Sequence, residues 1–129
     1  MSVLGVGIDL VELTRAAKLL ARKGEYALDR LLTDGERAYL AERADPVPHF
    51  AARLAAKEAV YKALQLLPRG REIGWRDIEV VRSDSGRPII ALHGRAAEVA
   101  RGAGVTIHVS LTHSESAAAA VAVAERVNP

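Results

Sequence analysis

Cysteine is absent from the 129 residues, which excludes disulfides, cysteine-bound zinc and thiol catalysis and accords with a reducing compartment. Aromatic residues are scarce, with three Tyr, one Phe and one Trp, too few for the stacking platforms that hold single-stranded nucleic acid. Neither sign of charge dominates: 18 Lys and Arg against 16 Asp and Glu leave a formal +2. The corresponding pI of about 9.2 is too mild to imply nucleic acid as a partner. No run of about 18 apolar residues is available for a membrane span, and MSVLGVGIDL puts Asp9 where a signal peptide would continue its apolar core. A cytoplasmic protein that binds neither membrane nor nucleic acid is expected. Also missing are a Ser-His-Asp signature, the GxxxxGKS/T phosphate loop, GxGxxG and HExxH.

What is present suits one domain spanning residues 1–129: half of the chain is hydrophobic, enough for one proper core. Val3 to Ile8 is a β-branched, glycine-punctuated run that predicts a buried strand ending at Asp9. Glu12 to Lys23 has helical composition, with Gly24 as its C-cap. Thr33-Asp34-Gly35-Glu36 has the form of a capping box and opens a helix to about Arg43, which Asp45-Pro46-Val47-Pro48 stops. Phe50 to Leu67, FAARLAAKEAVYKALQLL, predicts a long helix ending before Pro68. Asp77 to Arg82 and Pro88 to Leu92 read as strands joined across Ser83-Asp84-Ser85-Gly86, and Gly94 to Gly102 as a short helix. Val105, Ile107, Val109 and Leu111 alternate with Thr106, His108 and Ser110, the pattern of a half-buried strand. Ala117 to Glu125 is assigned as the strand returning from it. A strand, then helices, then several strands gives an α+β fold with an antiparallel sheet against a long central helix.

The charges of the long helix pose the functional question. At 100° per residue, Glu58, Lys62 and Gln65 share one side, while Arg53 and Lys57 lie on another edge, with Phe50, Leu54 and Tyr61 between. Glu58 and Lys62, four residues apart, suit an ordinary surface ion pair. They equally suit a site, since a carboxylate flanked by cations is what a magnesium-bound polyphosphate needs. Asp9 is a poor strand residue that either turns the chain into the next helix or joins Glu58 as a second oxygen ligand. His113 follows the alternating strand among Ser110, Thr112 and Ser114, a small polar cluster suited to structure or to a phosphate.

GVGIDLVEL, FAARLAAKEAVYKAL and HVSLTHSESAAAAVAVAE, in that order, span almost the whole chain. Together they resemble the bacterial holo-acyl-carrier-protein synthases of the 4′-phosphopantetheinyl transferase superfamily, in their short homotrimeric branch. The resemblance implies that Asp9 and Glu58 hold Mg²⁺ on the pyrophosphate of coenzyme A and that Lys62 contacts the phosphates. It further implies that Arg53 and Lys57 help hold the nucleotide. Gly86-Arg87-Pro88, Ser110 and His113 would complete a pocket built across a subunit boundary. The implied reaction moves 4′-phosphopantetheine from coenzyme A to a serine of an acidic apo-acyl carrier protein, releasing adenosine 3′,5′-bisphosphate, in support of fatty acid or polyketide synthesis. Glu58, directly or through a water on the metal, is the implied base. Arg15, Leu19 and Arg22, spaced at three or four residues, form the face on which the carrier would dock.

The chain departs from its relatives at Glu25, where a basic residue is common, at Tyr61, where a small one is, and at Leu54, where Phe is usual. GIDL also opens the phosphate-binding strand of actin-like ATPases, but that fold requires far more chain. A non-catalytic module of the same fold, binding coenzyme A or an acidic protein, is the other alternative; Asp9, Glu58, Lys62 and His113 together argue against it.

Overall fold

The computed structural model describes residues 2–127. Its elements run β1 (Ser2–Glu12), α1 (Leu13–Leu31), α2 (Asp34–Ala41), α3 (Pro46–Leu64), β2 (Ile78–Arg82), β3 (Pro88–Leu92), α4 (Gly94–Ala103), β4 (Val105–His113) and β5 (Ala117–Arg126). Short 3-10 turns at Gly70–Glu72 and Trp75–Asp77 lead into β2. The α+β expectation holds: β1, β5 and β4 form an antiparallel sheet in that order, β2 and β3 a separate hairpin, and α3 packs along the inner face of the sheet.

Small residues let α3 lie close to the sheet. Ala55, Ala56, Ala59 and Ala63 of the helix and Ala118, Ala120, Ala122 and Ala124 of β5 are all buried, so two alanine-rich surfaces meet with almost no side chain between them. On β1 the approach is closer still. A Cβ on Gly5 would come within 1.9 Å of the Ala63 carbonyl oxygen, and one on Gly7 within 1.9 Å of that of Ala59. Those two glycines therefore fix where α3 crosses β1, and with it the position of the helix charges.

Three boundaries differ from the sequence-based expectations. β1 runs on to Glu12, so Asp9 sits inside the strand opposite Ala120 and does not end it. Helix α1 continues past Gly24 to Leu31; Gly24, at φ 41°, kinks the helix where a cap was expected. The Asp45-Pro46-Val47-Pro48 segment ends α2 and also starts α3, because the Asp45 carboxylate accepts from the Val47 N–H and Pro46 occupies the first turn, where its missing N–H costs nothing. The Thr33 capping box is present in full, Thr33 Oγ1 accepting from the Glu36 N–H and Glu36 Oε1 from the Thr33 N–H. No helix among the described residues is long and apolar enough to cross a membrane.

Candidate active site

Where α3 crosses β1, the first set of expected residues converges. The Lys62 ammonium donates to the Ile8 carbonyl at 3.0 Å and to Asp9 Oδ1 at 3.3 Å. Lys62 thus pairs with Asp9 on the neighbouring strand, in place of the i, i+4 pair with Glu58 that the helix alone suggested. Glu58 lies one turn earlier, half-buried, and lines the same cleft as Asp9. Burial pushes its carboxyl above the ordinary 4.5, the Asp9 charge pushes it further, and Lys62 partly opposes both. Two carboxylates facing one cleft, with oxygen donors only, form a set that suits a small hard cation. Among the described residues no cluster of three or more His, Asp or Glu occurs, so the protein would supply two ligands and leave the rest to water and phosphate.

The cleft has a volume of about 610 Å³. Val11, Ala16, Leu31 and Leu54 give it an apolar floor, and Arg15, Lys18, Leu19, Arg22 and Lys23 of α1 form its rim. The expected docking face of Arg15, Leu19 and Arg22 therefore opens onto the same cleft as Asp9 and Glu58. Lys18 and Lys23 were missed, although each lies three or four residues from a member of that face. Glu25 faces elsewhere, pairing with Arg37, which also meets Asp29 at 3.6 Å. Leu54, in place of the more usual Phe, belongs to the cleft floor.

A second cleft, about 560 Å³, lies at the β4 edge of the sheet and shares no residue with the first. It brings together Arg53, Pro88 and His113 of the expected nucleotide contacts and adds Arg43, His49 and Arg82. Three guanidinium groups surround the Tyr39 ring, that of Arg53 at 4.0 Å from its centre, Arg43 at 4.4 Å and Arg82 at 5.4 Å. The ring face partly offsets their mutual repulsion. Burial, followed by the charges of Arg53, Arg43 and Arg82, holds the His49 imidazole below its ordinary 6.5. The Nε atoms of Arg43 and Arg53 are buried without a partner. Cations gathered at this cost are suited to an anion. Tyr39, Arg43, His49 and Arg82 were not anticipated: the first three lie on α2, just after it and in the first turn of α3, shortly before Arg53, but only the fold brings them together with Arg82 at the end of β2.

Other expected contacts lie outside this cleft. Gly86 and Arg87 occupy the exposed β2–β3 turn, where the Gly86 carbonyl accepts from Arg82 at 3.0 Å. Ser110 points to the outer face of the sheet, aligned through Val121 with Ile8. Lys57 requires a correction. It was expected at the nucleotide, but its side chain is fully buried, with its ammonium 2.6 Å from Glu36 Oε1 and donating to the Trp75 carbonyl at 3.0 Å. Glu36, equally buried, also accepts from the Val80 N–H at 2.8 Å. On the helix wheel Lys57 shares an edge with Arg53, and α2 covers both, setting Glu36 against Lys57 and the Tyr39 ring against Arg53.

The chain matches the family model of the 4′-phosphopantetheinyl transferase superfamily over residues 5–122. It is 44% identical to the holo-acyl-carrier-protein synthase of Koribacter versatilis over 124 residues, 95% of this chain and 98% of that one. Among solved structures, the acyl carrier protein synthase of Mycobacterium tuberculosis superposes with a TM-score of 0.76 at 41% identity, covering 98% of this chain and 100% of that one. The Bacillus anthracis holo-acyl-carrier-protein synthase, solved in complex with CoA (3′,5′-ADP), gives 0.79 at 31% identity over 97% of this chain and 98% of that one. Sequence and fold thus agree that the chain belongs to the holo-acyl-carrier-protein synthases, enzymes of the 4′-phosphopantetheinyl transferase superfamily.

Proposed function

We propose that the chain transfers the 4′-phosphopantetheine group of coenzyme A to a serine hydroxyl of an acidic apo-acyl carrier protein, with Mg²⁺ required and adenosine 3′,5′-bisphosphate released. The observation that carries this reading is the convergence of Asp9, Glu58 and Lys62 at the end of a cleft rimmed by Arg15, Lys18, Arg22 and Lys23. An acidic helix of the carrier meets complementary charge on that rim, which steers the encounter and sets its orientation. Leu19 and the apolar floor supply the desolvated centre of the contact.

The chemistry is a displacement at phosphorus. The serine oxygen forms a bond to the phosphorus that carries pantetheine, the bridging P–O bond of the pyrophosphate breaks, and the bisphosphate leaves with the bridging oxygen. Asp9 and Glu58 would hold Mg²⁺, which when bound offsets charge on the pyrophosphate oxygens. Lys62, already poised between Asp9 and the Ile8 carbonyl, donates to the phosphate from the helix side. Glu58, directly or through a water, takes the serine proton. The anionic end of the donor suits the second cleft, where Arg43, Arg53, Arg82 and His113 gather and two guanidinium Nε atoms lack partners. Arg87 and Gly86, on the turn beside that cleft, and Ser110, on the outer sheet face, are proposed as contacts completed by a neighbouring subunit.

Assembly follows from the separation of the clefts. They occupy opposite edges of one sheet, with β5 and α3 between them, an arrangement that suits a donor shared between neighbouring subunits. The outer sheet face meanwhile exposes Val6 at 59%, Ile8 at 67% and Leu10 at 59%. Three adjacent apolar residues on one strand face favour burial against another copy. A homotrimer sharing its sites accounts for both features, and cytoplasmic fatty acid synthesis, or polyketide synthesis where its carrier is accepted, is the setting that goes with it.

Chromatographic detection of adenosine 3′,5′-bisphosphate tests the reaction. Release from coenzyme A requires both apo-carrier and Mg²⁺; release without a carrier, or none with several carriers, contradicts the proposal.

A further inference from the structure

Glu58 has a cavity on each side. One is the large basic cleft; the other, about 150 Å³, is lined by Tyr61, Ile73, Trp75 and Ile78 together with Gly74 and Lys57. Among the described residues only Glu58 and Trp75 are common to both linings, so the indole stands as a partition beside the carboxylate. A cavity of that size holds a group about as large as benzene. The buried Lys57–Glu36 pair acts on this partition. Lys57 donates to the backbone carbonyl of Trp75 at 3.0 Å, while the Glu36 carboxylate accepts from Lys57, from the Thr33 N–H at 2.9 Å and from the Val80 N–H at 2.8 Å. Both Glu36 oxygens thus accept, a pattern that an amide cannot reproduce. Replacing such a pair by apolar residues is often neutral for stability, so its presence needs a reason other than stability.

Resting on the transferase reading above, we propose that Glu36 and Lys57 are positioning residues that hold Trp75 as the wall of a subsite beside Glu58. The subsite takes the branched apolar segment that directly follows the phosphate of the transferred arm. That segment is short and compact, as the cavity requires, and Tyr61 shares its lining with the indole.

Trp75 is the only tryptophan in the chain, so its fluorescence reports the wall directly. Coenzyme A, which carries the arm, quenches or shifts the emission; adenosine 3′,5′-bisphosphate, which lacks it, does not. Equal responses to the two, or none to either, overturn the subsite. In kinetics, Trp75→Ala lowers kcat/KM for coenzyme A about tenfold, the scale of one apolar contact. Lys57→Met has a comparable effect in the parent protein and less than about a twofold effect once Trp75 is Ala. Multiplying effects overturn the positioning role, as does a Trp75→Ala protein of full activity. If Lys57→Met fails to fold, Lys57→Arg, which keeps charge and donors, replaces it in the cycle. A parent chain that transfers nothing contradicts the reaction itself, whereas unchanged Trp75 emission in a folded Lys57 variant contradicts only the positioning.

Discussion

The Lys62 ammonium of α3 lies 3.3 Å from the Asp9 carboxylate of β1, joining the helix to the strand at the point where the reaction is placed. Lys62 is exposed and carries no core packing, so its replacement tests chemistry with little effect on the fold. Lys62→Met is expected to lower kcat by about 10²-fold, the scale of losing one aligned donor to a developing charge. Asp9→Ala and Glu58→Ala are each expected to abolish Mg²⁺-dependent transfer. Circular dichroism checks that all three remain folded; full activity in any of them refutes its assigned role.

Gly7 is where geometry leaves least room. A methyl group there would sit 1.9 Å from the Ala59 carbonyl oxygen, a backbone atom that cannot swing aside. Gly7→Ala should therefore push α3 off β1 and cost at least about 3 kcal/mol in denaturant unfolding. A loss below about 1 kcal/mol would show that the close approach is not needed.

The contrast between Gly7 and Trp75 shows what could be read from the sequence. The Thr33 capping box and the alternation of β4 are local signals that produced the expected elements; the glycine-punctuated run gave a strand too, but one that continues to Glu12 and leaves Val3, Val6, Ile8 and Leu10 exposed where burial was expected. Asp9 and Glu58 stood out because a carboxylate in a strand and a charge in an alanine-rich helix both run against local preference, and the fold brings the two to one cleft. Lys57 was misread because periodicity gives a helix edge but not what covers it, and α2 covers that edge through Glu36. Arg43 and Arg53 are near Tyr39 in sequence, but their convergence on its ring depends on how α2 meets α3, while Arg82 and the partition at Trp75 come from distant segments. Likewise Gly24 reads as a cap, but helix composition resumes beyond it and burial of Ala27 carries the chain on to Leu31.

Glu58 gives a pH dependence whose sign follows from its environment. Its folded pKa is raised above the ordinary 4.5, first by burial and then by Asp9. The folded state therefore binds the proton more tightly than the unfolded chain, and this contribution to stability, present at low pH, is lost as pH rises through the folded value. Carboxyl NMR titration without metal should place the Glu58 midpoint above 4.5 and move it down in Asp9→Asn. An unshifted midpoint, or one indifferent to Asp9, contradicts the coupling.

Removing Glu36 alone should be far more damaging than any surface change. Glu36→Ala leaves the buried Lys57 ammonium uncompensated and orphans the Thr33 and Val80 N–H groups. A loss of roughly 3–5 kcal/mol is expected in equilibrium unfolding. A loss below 1 kcal/mol would mean that the pair is not held as described.

The outer sheet face predicts a link between assembly and activity. Ile8→Glu places a charge in the middle of the exposed apolar row, without touching either cleft. Light scattering should show dissociation to monomers, with transfer falling at least about tenfold because each site loses its second half. A fully active monomer would contradict shared sites.

The central claim is tested most directly by intact-mass spectrometry of an apo-acyl carrier protein incubated with the chain, coenzyme A and Mg²⁺. The account predicts a gain of about 340 Da on a single serine, the mass of one phosphopantetheine group, which disappears in Glu58→Ala. No gain with several freshly prepared apo-carriers, or the same gain with Glu58→Ala, would contradict it.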